Sequence, residues 1–147
     1  PPRSVFDKAL NYSSKTSDDA SAAARELLLN ADKIKNDTKK QIDLYKQAID
    51  KAPLMPLPLF KYAYAVQWRE KNFEKSIPYY EKYLELFSGF DDSDTVLIYV
   101  SSFYTSKNPS LALSLLEKHG QNPSSEKIKN EFEARRIKIL KLLKRNE

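Results

Sequence analysis

The chain has no cysteine and only two glycines, Gly89 and Gly120, in 147 residues. Without cysteine there is no disulfide framework and no thiolate nucleophile or metal ligand. So few glycines argue against phosphate-cradling loops and tight β-hairpins, which use the backbone freedom that glycine supplies. No apolar run approaches the length that crosses a bilayer, and no signal-peptide core is present. The chain opens on Pro1-Pro2-Arg3 without a methionine, so it is expected to be a processed product or an excised fragment. Any export signal or lipid anchor is then expected outside it.

What remains is an ordinary soluble composition, 41% hydrophobic and 31% charged, in a chain long enough for one self-sufficient core. The formal net charge is +5, and from Gly120 onward eight lysines and arginines stand against four glutamates. The excess of positive charge is therefore concentrated at the C-terminus.

Two segments echo each other. Ile42, Tyr45, Ala48 and Asp50, closed by Pro53, correspond to Ile77, Tyr80, Tyr83 and Glu85, 35 residues later. A period of that length belongs to stacked helical hairpins, since one hairpin cannot bury its apolar face alone. Around these segments the apolar spacing predicts a helix from Ser21 to about Lys35, a turn at Asn36-Asp37-Thr38, and a helix from Lys39 to Ala52. Pro53 ends that helix, because proline has no backbone N–H to donate. A proline-punctuated connection, Leu54 to Leu59, leads into a second hairpin with Phe60, Tyr64, Ala65 and Trp68 in its first helix. Lys71-Asn72 makes its turn, and Pro78 is expected in the first turn of the following helix, where its cost is smallest. Gly89 is the expected C-cap. The third hairpin carries Val96, Tyr99, Val100 and Phe103, a turn at Lys107-Asn108-Pro109, and Ala112 to Leu116, with Gly120 and Pro123 as stops. Residues 125–146 read as a last helix capped by Ser124 or Ser125. Before Ser17, Val5, Phe6, Ala9 and Leu10 suggest a minor helical element, followed by a polar loop from Tyr12 to Asp19 with Ser17 or Asp18 as cap.

This pattern resembles the tetratricopeptide repeat. Val96, Tyr99, Val100 and Phe103 match the packing sites of that family's first helix without a gap, and Ala112 falls at the small residue of the helix crossing. In the second hairpin Tyr64, Ala65 and Trp68 match with a turn one residue shorter than usual. Ser76 then takes the small position, with Phe73 just before it. In the first hairpin Ala48 and Pro53 match, and the first helix again needs a one-residue slip. The resemblance spans residues 21–123, with 1–20 an N-terminal extension or short helix and 124–147 a capping helix. It implies an all-α, right-handed superhelical solenoid of antiparallel helical hairpins; a generic helical bundle is the competing arrangement.

No catalytic or metal constellation stands out, so the expectation is a protein that is not an enzyme and takes neither cofactor, metal nor small-molecule substrate. His119 is the only histidine and falls in a last helical turn, where its charge suits the dipole. Asp91-Asp92-Ser93-Asp94 lacks the spacing, glycine and closing glutamate of a calcium loop and reads as a solvated turn. Aromatics are dense in the second hairpin. Tyr64, Trp68, Tyr80 and Tyr83 fall on the core stripe, whereas Tyr62 and Tyr79 fall off it, where surface and binding readings are equally open. Trp68 is thus expected between the two helices, costing about 3–5 kcal/mol on replacement by alanine. Arg69, next to it, is expected to point into the groove.

In the resembled family the first helices line a concave face. Carried over with the slips above, the partner-binding groove would hold Arg25, Leu29 and Lys33, then Tyr62, Val66 and Arg69, then Leu97, Ser101 and Tyr104. Such a groove suits another protein's segment with apolar anchors and some acidic residues. Asp94 and Ile98 stand where chaperone-binding members carry basic residues, which argues against a chaperone C-terminal tail. The resemblance therefore implies a scaffold or adaptor, and the makeup is compatible with the folded part of a cell-envelope complex. The alternative rests on the last helix. Ile128, Phe132, Ile139, Leu142 and Leu143 share one face, largely opposite Lys138, Lys141, Lys144 and Arg145, while Ile137 and Leu140 fall off the stripe. Besides capping the solenoid, residues 125–146 could lie on an anionic membrane surface or, less favoured, touch nucleic acid.

Overall fold

The structure, a computed structural model, describes residues 18–145. The short helical element expected before Ser17 and the Ser17 cap fall outside what is described, and Asp18 is the first helical residue that is described. Among the described residues there are seven helices and no strand. They are α1 (Asp18–Asp32), α2 (Thr38–Lys51), α3 (Pro56–Trp68), α4 (Phe73–Phe87), α5 (Ser93–Lys107), α6 (Pro109–His119) and α7 (Glu126–Arg145).

The second helix of each hairpin begins with the same device. Side-chain oxygens of Asp37, Asn72 and Asn108 accept from the backbone N–H three residues on, at 3.0, 3.0 and 3.2 Å. Each satisfies one of the amides that a helix start leaves without a partner. The three caps are 35 and 36 residues apart, so the sequence period recurs as a structural one. Pro53 follows the end of α2, Pro56 opens α3 and Pro109 opens α6, positions where a missing N–H costs little. Pro78 departs from expectation. It sits in the second turn of α4 on an exposed face, so the Glu74 carbonyl lacks its helical donor and is left to water. Lys71, at φ 57°, takes a left-handed position usually given to glycine, and Asn72 N–H closes the turn onto the Val66 carbonyl at 3.0 Å. Gly89, at φ 92°, does the same work after α4 without the steric cost.

Successive helices pack on one another, pairing as α1/α2, α3/α4 and α5/α6, and α7 covers α6 and touches α5. That is an all-α, solenoid-like stack and not a closed bundle. Equivalent residues do equivalent work in it. The Tyr45 hydroxyl donates to Asp32 at 2.6 Å and the Tyr80 hydroxyl to Gln67 at 2.5 Å, and both tyrosine and partner are shifted by 35 residues. Each bond ties a second helix to the first helix of its own hairpin. Ser76 and Ala112 are fully buried at the crossing position, whereas the first hairpin places Gln41 there. Gln41 fits by sending its amide to the Ala31 carbonyl at 3.0 Å and the Ile34 carbonyl at 3.4 Å. That bonding accompanies an α1 that begins and ends three residues earlier than the apolar spacing predicts.

The terminal helix packs as expected of a cap. Phe132 and Ile139 are buried, Ile128 and Leu143 pack on the core, and Ser125 caps the helix start through Ile128 N–H at 3.2 Å. Gly120, before it, cannot take a Cβ without meeting the Leu116 carbonyl at 2.5 Å.

The second hairpin corrects the aromatic assignment. Tyr80 and Tyr83 are buried, but Tyr64 and Trp68 are 45% and 53% exposed. Tyr62, expected off the stripe, is only 5% exposed and meets Tyr79 edge to face at 4.7 Å. The cause is the double burial of α3, which packs on both α2 and α4. Its inward face is centred on Leu59, Tyr62, Ala63 and Val66, leaving Leu57, Tyr64 and Trp68 opposite. Tyr62→Ala should therefore cost about 3–5 kcal/mol. Trp68→Ala should cost about 1 kcal/mol, mostly its edge contacts with Tyr64 and Tyr99. Urea denaturation of the two variants checks this order, which is the reverse of that predicted from sequence.

Candidate functional site

The outward side of α3 carries a row of rings. Phe60 and Tyr64 lie 5.6 Å apart, Tyr64 and Trp68 6.3 Å, and Trp68 meets Tyr99 of α5 at 6.3 Å. Beside this row opens a cleft of about 400 Å³, lined by Gln41 and Tyr45 of α2, by Leu57, Phe60, Lys61, Tyr64 and Ala65 of α3, by Arg69, and by Asp92 before α5. Exposed rings next to a cleft offer large contact area at low entropic cost.

The polar groups of the cleft are unequally occupied. Lys61 donates to Asp32 at 2.7 Å, and Tyr45 donates to the other oxygen of the same carboxylate. Partial burial works against the charged form of Asp32, but these two hydrogen bonds outweigh it and hold its pKa below the usual range. Tyr45 is pushed up, first by burial and then by donating to Asp32. Arg69 donates to the Ile34 carbonyl at 3.3 Å and the Lys35 carbonyl at 2.8 Å. The Asp92 carboxyl is raised by burial and by the neighbouring charge of Asp91, with Lys61 opposing. Asp92 is the N-cap of α5, yet its side chain makes no capping hydrogen bond. Gln41 is 6% exposed, and its Oε1 has no hydrogen-bond partner.

The residues expected in a groove separate into two groups. Arg25, Leu29 and Lys33 are exposed on α1, Leu29 by 61%. Tyr62, Val66, Leu97 and Ser101 are buried between helices and present no surface to a partner. Tyr104 is half-buried and donates to Glu81 on α4 at 3.1 Å. Arg69 is a strut from the second hairpin to the α1–α2 turn. For Tyr62 and Val66 the error lies in the register slip, whereas Leu97 and Ser101, matched without a slip, are buried all the same. Moving Arg25, Leu29 and Lys33 by 35 residues, with no slip, lands on Phe60, Tyr64 and Trp68. The same step carries Tyr64 to Tyr99, which Trp68 touches. The period was therefore a sufficient signal for the aromatic row. Gln41 and Asp92 had no such signal, because their role depends on which bonds they do not make.

Three lysines, Lys39, Lys46 and Lys75, line a second cleft of about 600 Å³ between α2 and the second hairpin, with Arg69 as the wall between the two clefts. His119 ends α6 with Nδ1 3.0 Å from Ser88 Oγ, at the end of α4. No helix of the described residues is long and apolar enough to cross a membrane. No protein-family model, curated protein or solved structure matches the chain.

Two outcomes follow from this geometry. Arg69→Ala should lower stability by about 1–3 kcal/mol, because two carbonyls lose a charged donor. Arg69→Lys should recover only part, since one ammonium cannot reproduce the forked donors; thermal melts of the pair check it. At high pH the buried tyrosines oppose folding. Burial, then the hydrogen bond with Tyr79, pushes Tyr62 up to about 12, and Tyr45, Tyr80 and Tyr83 are raised as well. Above pH ~10 the unfolded chain loses tyrosine protons that the folded chain keeps. Stability should be intact below that pH and fall as pH climbs, a trend read from urea midpoints across the alkaline range.

Proposed function

We propose that this protein is a non-catalytic interaction module of the tetratricopeptide-repeat kind, holding a segment of another protein along the outward face of its first helices. The observation that carries this reading is the exposed Tyr64–Trp68 pair beside an open cleft. At 45% and 53% exposure these rings add only about 1 kcal/mol through their contacts with one another and with Tyr99. They are useful to a partner that covers them. Leu29 occupies the equivalent exposed position one hairpin earlier, which extends the face along the stack.

A second reading has its own observation. Ile137 and Leu140 are 45% and 40% exposed on α7, among Lys138, Lys141 and Lys144. A basic helix with outward apolar side chains suits an anionic membrane surface. Calorimetric titration separates the two readings. Peptides recovered from a random library on the immobilised protein should bind with little dependence on salt. They should lose at least about tenfold in affinity for the Tyr64→Ala/Trp68→Ala variant, the loss expected when interface hot spots are removed. Unchanged peptide binding by that variant rejects the groove reading. Binding to anionic vesicles that weakens steeply with salt and is lost in Ile137→Ser/Leu140→Ser supports the second.

A further inference from the structure

The chemistry that the cleft leaves unused is of one kind. Its two cationic side chains are turned to acceptors within the chain, Lys61 to Asp32 and Arg69 to the carbonyls after α1. What faces the cleft without such a partner is acceptor chemistry. No ion pair forms on Asp92 among the described residues, and its carboxylate does no capping. Gln41 Oε1 has no hydrogen-bond partner but is itself buried, so it is not open to the cleft, and its amide nitrogen is held by two carbonyls. Phe60 and Tyr64 line the same cleft, and the face of an aromatic ring is electron-rich. Carboxylate and π-face both favour a cation with hydrogen-bond donors.

We infer that the cleft beside Tyr64 receives an arginine side chain of the bound segment, with its guanidinium on the Phe60–Tyr64 rings and directed to Asp92. Guanidinium fits better than ammonium because its plane stacks on rings while its edge donates to a carboxylate. The chain already uses the same contact elsewhere, where Lys107 Nζ lies 4.7 Å from the Phe103 ring centre. Burial and the charge of Asp91 raise the Asp92 pKa against the pull of Lys61, and a guanidinium beside it would oppose both. An arginine here reverses the acidic partner residues expected from sequence. At this cleft the partner's charge is positive, although the chain carries +5 overall. The inference rests on the interaction reading above and names the chemistry of its ligand.

The single tryptophan, Trp68, adjoins Tyr64 and reports on this face. Peptides from a random library that shift Trp68 emission should carry arginine. Replacing that arginine with glutamine should weaken binding about tenfold, glutamate should weaken it further, and lysine should fall between arginine and glutamine. In Asp92→Asn the difference between the arginine and glutamine peptides should shrink several-fold. Leu57→Ser should weaken both peptides alike. If the peptides shift Trp68 but bind equally well with glutamine or glutamate, the arginine site is wrong and the binding face stands. If no peptide shifts Trp68, both are wrong.

Discussion

The carbonyl groups at the end of α1 have no helical donor, and how they are satisfied sets the geometry of everything that follows them. Gln41 supplies donors to Ala31 and Ile34 from α2, and Arg69 supplies donors to Ile34 and Lys35 from the end of α3. Lys61 and Tyr45 converge on Asp32 in the same turn. One helix terminus thus fixes both the hairpin to which it belongs and the seat of the next hairpin. A helix end buried without partners would be costly, so these bonds are strongly constrained. The cleft exists because Arg69 and Lys61 span this junction as long side chains instead of closing it with packed apolar ones.

Beyond that junction the stack is held by repetition with variation. Asp37, Asn72 and Asn108 start each second helix in the same way, and Tyr45 and Tyr80 bond back across their hairpins. The third hairpin has Leu116 in the corresponding place, so its two helices meet there through apolar contact alone. α7 then covers the last face, with Phe132 packed close to Gly120, where an added side chain would meet the Leu116 carbonyl.

Much of the fold was legible in the sequence because it depends on period, proline and cap residues, all local signals. The seven described helices fall where periodicity placed them, apart from the early start of α1, the start of α3 at Pro56 inside the stretch read as a connection, and the deeper position of Pro78. The face of α3 was not legible. Nearly all its residues are apolar, so helical spacing gives no contrast between the side that packs and the side that does not. Burial there is decided by α2 and α4 together, a tertiary fact. Allowing a slip to satisfy a family pattern moved the candidate row from Phe60, Tyr64 and Trp68 to the buried Tyr62 and Val66. Asp92 and Gln41 were illegible for a different reason. An unmade hydrogen bond leaves no trace in composition.

Packing in chain order also determines how the molecule comes apart. Because each helix leans mainly on its immediate neighbours, a terminal helix can open while the interior hairpins stay closed. The connections differ in how far they let this proceed. Asn108 is the whole link between α5 and α6, so those two helices are constrained to move as one body, while residues 120–125 give α7 a longer tether. Fraying at the C-terminal end should therefore take α7 first and uncover the end of α6 around Leu116 and Gly120, where Phe132 packs, to any neighbouring chain.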